Sequence, residues 1–360
     1  MAKIKIVTFN IEWMFAIFGG VWNDWDGSIP DSFPGKNLGP IRLEPIDDVP
    51  AMCERIAGVI KDTEAQIICI QEGPPRKDQL ELFVNQFLNN EYVVHASNSR
   101  TQTNMALVHS SIADNVTALD PKSDEMKEAW GDIYFQQWSS IALSHRYKHD
   151  FYRYPLVLKF TPADDKELQI INVHTKSKIS KLKTWNQWKE RHADAVHDAL
   201  FVRQKLSAEV QRIRKYIEKE LEAPNQGRAM VIVGDFNDGP LAEQMEEEFL
   251  VHNIMNEVSG AITNPGLNFQ HAMTAEVLES ATTTEFSDPF EEGNIVKILL
   301  DHVLVSPGIW KKTSGFSVKK NSCIVEDAIY EQYTDNLGSP DQERGQRPSD
   351  HRPVSVVLKY

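Results

Sequence analysis

The chain predicts an α/β fold on three observations. Short apolar β-type runs alternate with helical stretches along the whole sequence, strands outnumber long helices, and the chemically capable residues fall where strands end. Its 360 residues, 41% hydrophobic and 25% charged, suffice for one large or two modest domains and exclude disordered and fibrous classes. No stretch reads as a linker, so a single domain over 1–360 is expected, with insertions near 16–46 and 120–150.

Residues 3–9 (KIKIVTF) alternate as a first strand. Residues 16–46, with several Gly and Pro plus Trp22 and Trp25, read as a long irregular insertion. Asp47 and Asp48 ahead of Pro50 start a helix over 49–62. A buried strand at 66–71, a helix at 77–90 and strands at 92–96, 105–109, 154–160 and 168–174 follow. From 184 to 222, Trp185, Trp188, Val196, Leu206, Val210 and Ile213 recur at helical spacing until Pro224, a span long enough that a break or an irregular entry is expected. Strands at 229–234, 297–305, 316–325 and 354–359 close the chain.

Thirty-eight basic residues against 52 acidic ones leave a charge of −14, which disfavours broad attraction to nucleic acid. The stretch from His174 to His192 departs from this: six basic residues (Lys176, Lys178, Lys181, Lys183, Lys189, Arg191) stand against Glu190 alone. An acidic body with one basic strip suits contact with phosphate at one place. Cys53, Cys69 and Cys323 are too few for a disulfide framework, and no run is long and apolar enough to cross a bilayer. With no secretory signal in MAKIKIVTFNIEWMF, a cytoplasmic address and no membrane partner are expected.

Five segments share one design, an apolar strand ending in a side chain that can bind metal or phosphate: IVTFN (Asn10), IICIQE (Glu72), IINVH (His174), VIVGDFN (Asp235, Asn237) and PSDHRPV (Asp350, His351). A sixth, ILLDHVLV, carries Asp301 inside a strand, where a carboxylate is costly unless paired or metal-bound. His302 beside it points to the opposite face and reads as structural. Carboxylate and amide oxygens suit Mg²⁺ or Mn²⁺, whereas zinc would call for His and Cys clusters. Cys-x-x-Cys, His-Glu-x-x-His, Gly-x-Ser-x-Gly and a Gly-rich phosphate loop do not occur.

TFN, QEG, GDFND and SDHRPV, in this order, resemble the endonuclease/exonuclease/phosphatase superfamily, the fold of deoxyribonuclease I. FYRYPLVLKF (151–160), NVHTKS (172–177) and LLDHVLVS (299–306) extend the resemblance over the chain. It implies a four-layer α-β-β-α sandwich, two mixed sheets face to face with helices outside, and metal-dependent cleavage of a phosphate ester by in-line attack of water. By that likeness Glu72, Asn10 and Asp350 would hold Mg²⁺ or Mn²⁺. Asp301 would orient His351 as general base or phosphate ligand, and Asp235 would position the nucleophilic water or a second metal. Asn237 would bind a non-bridging oxygen, His174 would serve the leaving group and Arg153 would grip the phosphate. One departure is visible: Ser99 to Asn104 has no acid where the deoxyribonuclease branch places a glutamate that orients the first histidine.

Lys176 and Lys178, nearest His174, are the expected phosphate contacts of the basic strip. Trp185 and Trp188 lie on the apolar helix stripe and read as core, while Trp22 and Trp25 are freer to form a substrate rim. The expected activity is a Mg²⁺/Mn²⁺-dependent phosphodiesterase, a nuclease acting on DNA or RNA. The alternatives are an enzyme of small phosphorylated metabolites or lipid headgroups, and a non-catalytic binding protein on the same scaffold.

Overall fold

Ile4 and Ile6 alternate with Val7 and Phe9, so Lys3–Asn10 is a strand that is apolar on both faces and belongs between two layers. The computed structural model describes residues 2–360 apart from 40, 98–99, 137–145, 163–165, 223, 250–252, 261–263 and 339–341. In chain order the framework is β1 (Lys3–Asn10), α1 (Val49–Asp62), β2 (Ile67–Gly73), α2 (Lys77–Phe87), β3 (Tyr92–Ala96), β4 (Thr103–His109), β5 (Val116–Ala118), β6 (Leu156–Phe160) and β7 (Leu168–His174). It continues with α3 (Ala193–Glu220), β8 (Ala229–Asp235), β9 (Gln270–His271), β10 (Asp301–Val305), β11 (Ser317–Val318), β12 (Ile324–Val325) and β13 (Val354–Lys359).

One sheet has the order β11-β13-β1-β2-β4-β3, with β12 also on β13, and the other β9-β10-β8-β7-β6-β5. The β1–β2 and β7–β8 pairs are parallel and the rest antiparallel, so both sheets are mixed. Ile6, Ile67 and Cys69 of the first sheet meet Leu158, Ile170, Val231 and Val303 of the second in a buried inter-sheet core. Outside it, Met52 and Ile56 of α1 and Phe83 of α2 cover Val7 and Phe9, while Leu206, Val210 and Ile213 of α3 cover Ile171 and Ile232. Each such side chain contributes about 1.5–3 kcal/mol when fully buried. The implied four-layer sandwich is the observed architecture.

Asp48 caps α1 by accepting from the Ala51 amide at 2.8 Å, as the Asp-Asp-Val-Pro signal predicted. The 184–222 stretch does break: Trp185–Lys189 is a short helix, Arg191 turns the chain at φ 53°, and α3 begins at Ala193. The expected strand at 297–305 is divided into Ile295–Ile298, paired with Thr284–Ser287, and β10. The expected strand at 316–325 is reduced to β11 and β12, two residues each. The 16–46 insertion contains a 3₁₀ turn that begins at Met14 and a hairpin of Lys36–Leu38 with Ile41–Leu43. In the 120–150 insertion, a helix at Asp124–Trp130 precedes a hairpin of Tyr134–Gln136 with Arg146–Lys148, and 137–145 lie outside the described residues. No described helix is long and apolar enough to cross a membrane. The three cysteines are free and buried.

Two features set the distance between the sheets at one end. Gln71 donates to Asn172 Oδ1 at 2.6 Å and accepts from Thr8 at 3.1 Å, and Asn172 donates to the Ile70 and Met105 carbonyls. Buried amides must be paired, so this polar layer staples the sheets in one register. Beside it the β2–β4 ladder shifts register between Ile70 and Gly73, and Glu72 takes φ 58°. Simple alternation would place Glu72 with Ile68 and Ile70 on the helix side. The bulge re-aims its carboxylate.

Candidate active site

Parity brings four side chains to one place. On β1, Asn10 follows Ile4, Ile6 and Thr8 on the inter-sheet face. His174 follows Leu168, Ile170 and Asn172 on β7, Asp235 follows Val231 and Val233 on β8, and Asp301 precedes Val303 on β10. The ladders set His174 opposite Asp235 and Asp235 opposite Asp301, in one row across three strands. Gly234 makes this register possible: it has φ 145°, and a Cβ there would lie 1.9 Å from the Val173 carbonyl oxygen.

Asn10 Nδ2 donates to Asp235 Oδ2 at 2.9 Å, which ties the two sheets at the site. His174 Nε2 lies 3.4 Å from the same oxygen and 3.8 Å from Glu72 Oε1. His351 Nδ1 is 2.7 Å from Asp301 Oδ2, and its Nε2 stands 4.0 Å from Asp235 Oδ2. Ser349 holds the last loop in place, donating to the Asn10 carbonyl at 2.6 Å and accepting from the His351 amide. Glu72, Asn10, His174, Asp235, Asp301 and His351 therefore converge. Asp350 lines a small pocket together with Glu72 and Glu12.

The remaining expected residues divide. Arg153, buried, donates to Gln102 Oε1 at 2.6 Å and to the Thr175 carbonyl at 2.7 Å, at the floor of a cavity of about 810 Å³ also lined by Lys176 and Trp13. Asn237, at φ 50°, donates its backbone amide to Asp235 Oδ1 and one side-chain N–H to the Thr175 carbonyl. Lys178 is directed away: its ammonium sits 2.5 Å from Asp238, 3.0 Å from Glu246 and 3.4 Å from Glu243, so it is committed inside the fold. Burial alone would lower its pKa, but the three carboxylates outweigh that and raise it. Lys178→Met should therefore cost about 3–5 kcal/mol, because Asp238 and Glu246 lose their cation and Glu243 is left with Arg203 alone. Urea melts at pH 7 and pH 4.5 check this, with the deficit smaller at the lower pH.

Trp22 and Trp25 are partly buried against the core beside α1 and α2, Trp25 edge-on to Phe18, and neither lines the cavities next to the site. The tryptophan at the cleft is Trp13, which the motifs did not single out; its amide donates to Glu72 Oε2 at 2.7 Å. Trp188 is core, against Phe290. Gln102 stands in the stretch that lacks an acid, but it serves Arg153 and Glu72 rather than His174, whose buried Nδ1 has no partner. Ser99 lies outside the described residues. His271 and His302 form a relay to the Asp238 carbonyl on the helix side, away from this row.

The charges are unequal by position. Burial, with Arg153, His351 and Lys176 nearby, pushes His174 well below the ordinary histidine range, so it stays neutral. Burial opposes charge on His351 too, but Asp301 and Asp235 prevail and hold it well above that range. Asp235 is pushed up to about 7, by burial first and by Asp301, against the pull of His351. Glu72 is raised by burial and by the neighbouring Asp350. Glu12, bound by Arg344 and Arg347, reaches about 7 through burial, with Asp350 and Glu72 adding to it. Glu209 of α3 accepts the Lys176 amide at 2.9 Å and is also raised to about 7, by burial.

A carboxyl raised in the folded state binds protons better there than when unfolded, so wild type loses stability as pH climbs from about 4.5 through about 7. Glu209→Gln, which keeps an acceptor for Lys176, should thus be more stable than wild type at pH 8 by up to about 3 kcal/mol. The two should be equal near pH 4, and denaturant melts at the two pH values measure the difference.

Among the described residues no three His, Cys, Asp or Glu side chains stand ready around a metal. The donors present are mixed. Asn10 Oδ1 is buried without a partner, and the Glu72 and Asp350 carboxylates repel one another beside it. One amide oxygen with two carboxylates, completed by water, fits Mg²⁺ or Mn²⁺.

No protein-family model matches the sequence, and no curated protein does. Solved structures similar to it include the endonuclease/exonuclease/phosphatase from Bacteroides vulgatus, at 15% identity, TM-score 0.48, over 100% of this chain and 99% of that one. TDP2 of D. rerio complexed with a single strand DNA product is similar at 12% identity and TM-score 0.48 over 100% of both chains. So is a mannosyl-6-phosphatase of Bacteroides thetaiotaomicron, at 14% identity, TM-score 0.48, over 99% and 100%.

Proposed function

We propose that the protein is a divalent-metal-dependent phosphoric ester hydrolase, and that the ester is a phosphodiester of DNA or RNA. The observation that supports this most is the row His174–Asp235–His351–Asp301 facing the unpartnered Asn10 oxygen and Glu72 across the inter-sheet seam. Two histidines of opposite charge tendency share one buried carboxylate there, an arrangement with little structural purpose and a direct use at a phosphate.

Asn10, Glu72 and Asp350 would hold the metal, which when bound offsets phosphate charge as it develops. Asp235, with its carboxyl near 7, is matched to taking the proton of an attacking water at neutral pH. His351, kept protonated by Asp301, then grips a phosphate oxygen rather than acting as base. Neutral His174 donates from Nε2 on the leaving-group side, and Arg153 and Asn237 hold the remaining oxygens. The walled cavity beside Arg153 favours a second reading, a small phosphorylated metabolite.

Plasmid, single-stranded DNA, RNA and inositol phosphates incubated with Mg²⁺, Mn²⁺ or EDTA test the proposal. Cleavage of a nucleic acid that EDTA abolishes is the expected result. Turnover of inositol phosphates alone transfers the reading to small esters. Absence of metal-dependent turnover on all four overturns it.

A further inference from the structure

The cavity of about 810 Å³ adjoining the site holds more positive charge than the fold neutralises. Arg153 makes its bonds to neutral acceptors, an amide and a carbonyl. The Lys176 ammonium bonds the Ser177 carbonyl, and that of Lys205 lies 4.4 Å from the Phe201 ring. Among the described residues none of the three has a carboxylate within 4.0 Å. Of the other charged lining residues Lys148 is paired with Asp132, and two acids face the cations: exposed Asp150 and buried Glu209, whose charge is felt by Arg153 and Lys176.

Three cations side by side in a recess are unfavourable in a chain of net charge −14 with acids to spare. Elsewhere in the interior Lys178 has three acids, Arg203 has Glu243, Arg214 has Glu218 and Arg344 has Glu12, while Arg212 bonds His149. Helix α3 brings Lys205 to this cavity from a separate part of the chain; burial, Arg153 and then Lys205 lower the Lys176 pKa, against the opposing pull of Glu209 and Asp198. Phe135 and Tyr152 also line the cavity, Phe135 packed against the Phe201 ring that carries Lys205. The volume is within the roughly 300–1,000 Å³ of small-molecule sites, larger than one phosphate requires.

We infer that this cavity is a second-anion subsite, in which Lys176 and Lys205 bind a phosphate of the substrate other than the one cleaved, so that substrates with two phosphates are selected. The inference rests on the phosphoesterase reading for the first phosphate. The same chemistry is carried by a nucleic acid, whose next phosphate lies one nucleoside away, and by a small bisphosphorylated metabolite.

Calorimetric titration in EDTA, with thymidine 3′,5′-bisphosphate against thymidine 5′-monophosphate and fructose 1,6-bisphosphate against fructose 6-phosphate, reads the subsite without turnover. At least one bisphosphate should bind about tenfold more tightly than its monophosphate. Lys205→Met, which keeps the stem on Phe201, should close that gap, and Lys205→Arg should restore it. Preference in the thymidine pair alone identifies a nucleotide unit; preference in both pairs identifies two phosphates regardless of scaffold. Equal affinity within both pairs, or a gap that survives in Lys205→Met, overturns the subsite. A gap that persists in a protein with no hydrolytic activity overturns the phosphoesterase reading and leaves the subsite standing.

Discussion

Asp301→Asn is expected to lower kcat by about 10³–10⁴-fold on whichever phosphate ester is turned over, with a much smaller change in KM. Asp301 is fully buried, and its Oδ2 meets His351 Nδ1 at 2.7 Å. An amide of the same shape removes the counter-charge and lets the imidazole choose the wrong tautomer. Wild-type His351 is held well above its ordinary range, so the pair's contribution to stability is present below about 6.5 and fades as pH rises through the folded value. In the variant, burial no longer has that opponent and the His351 pKa falls. The basic limb of the pH–rate profile should therefore move to lower pH, and NMR titration of the imidazole should report the same displacement. A purely structural aspartate would alter melting and leave the profile in place. Wild-type kcat with an unmoved profile in Asp301→Asn would sink the assigned role.

How much of this could be read from the chain depends on period. Asn10, His174, Asp235 and Asp301 each stand on the inter-sheet parity of an alternating run, so strand reading alone places them on one face. Asp48 before Pro50 announces α1 for an equally local reason. Glu72 breaks the rule: its parity is wrong, and it reaches the site only through a bulge, whose cause is a ladder shift against a strand some thirty residues on. Lys176 and Lys178 look alike in a loop without period. What separates them is Asp238, Glu243 and Glu246, more than fifty residues downstream. Glu209 and Lys205 are two polar positions of a helix whose apolar stripe is plain, and nothing local says that the cavity lies against that flank. Glu12 is legible only with Arg344 and Arg347 beside it.

Glu72→Gln should separate the metal hypothesis from a general electrostatic one, because its two expected effects have opposite signs. Without metal, burial and the adjacent Asp350 make the Glu72 carboxylate unfavourable and raise its pKa, and Glu12 adds a third acid nearby. A raised carboxyl costs the fold stability as pH passes above about 4.5, so the neutral amide, still able to accept from the Trp13 amide, should melt higher than wild type in EDTA at pH 7 and equally near pH 4. With Mg²⁺ the order should reverse. Wild type gains about 2.7 kcal/mol at a hundred times the dissociation constant, whereas the variant has lost a principal ligand and gains little. Its turnover should fall by about 10³-fold and be only partly restored by raising Mg²⁺ or by Mn²⁺. A metal-independent role for Glu72 predicts instead that EDTA and Mg²⁺ melts shift alike in both proteins. Parallel metal-induced shifts in wild type and Glu72→Gln would remove Asn10, Glu72 and Asp350 as the metal-holding set. The gathering of these acids would then rest on Arg344 and Arg347, which bind Glu12, and on the Trp13 amide, Arg153 and Gln102, which only partly offset the burial of Glu72.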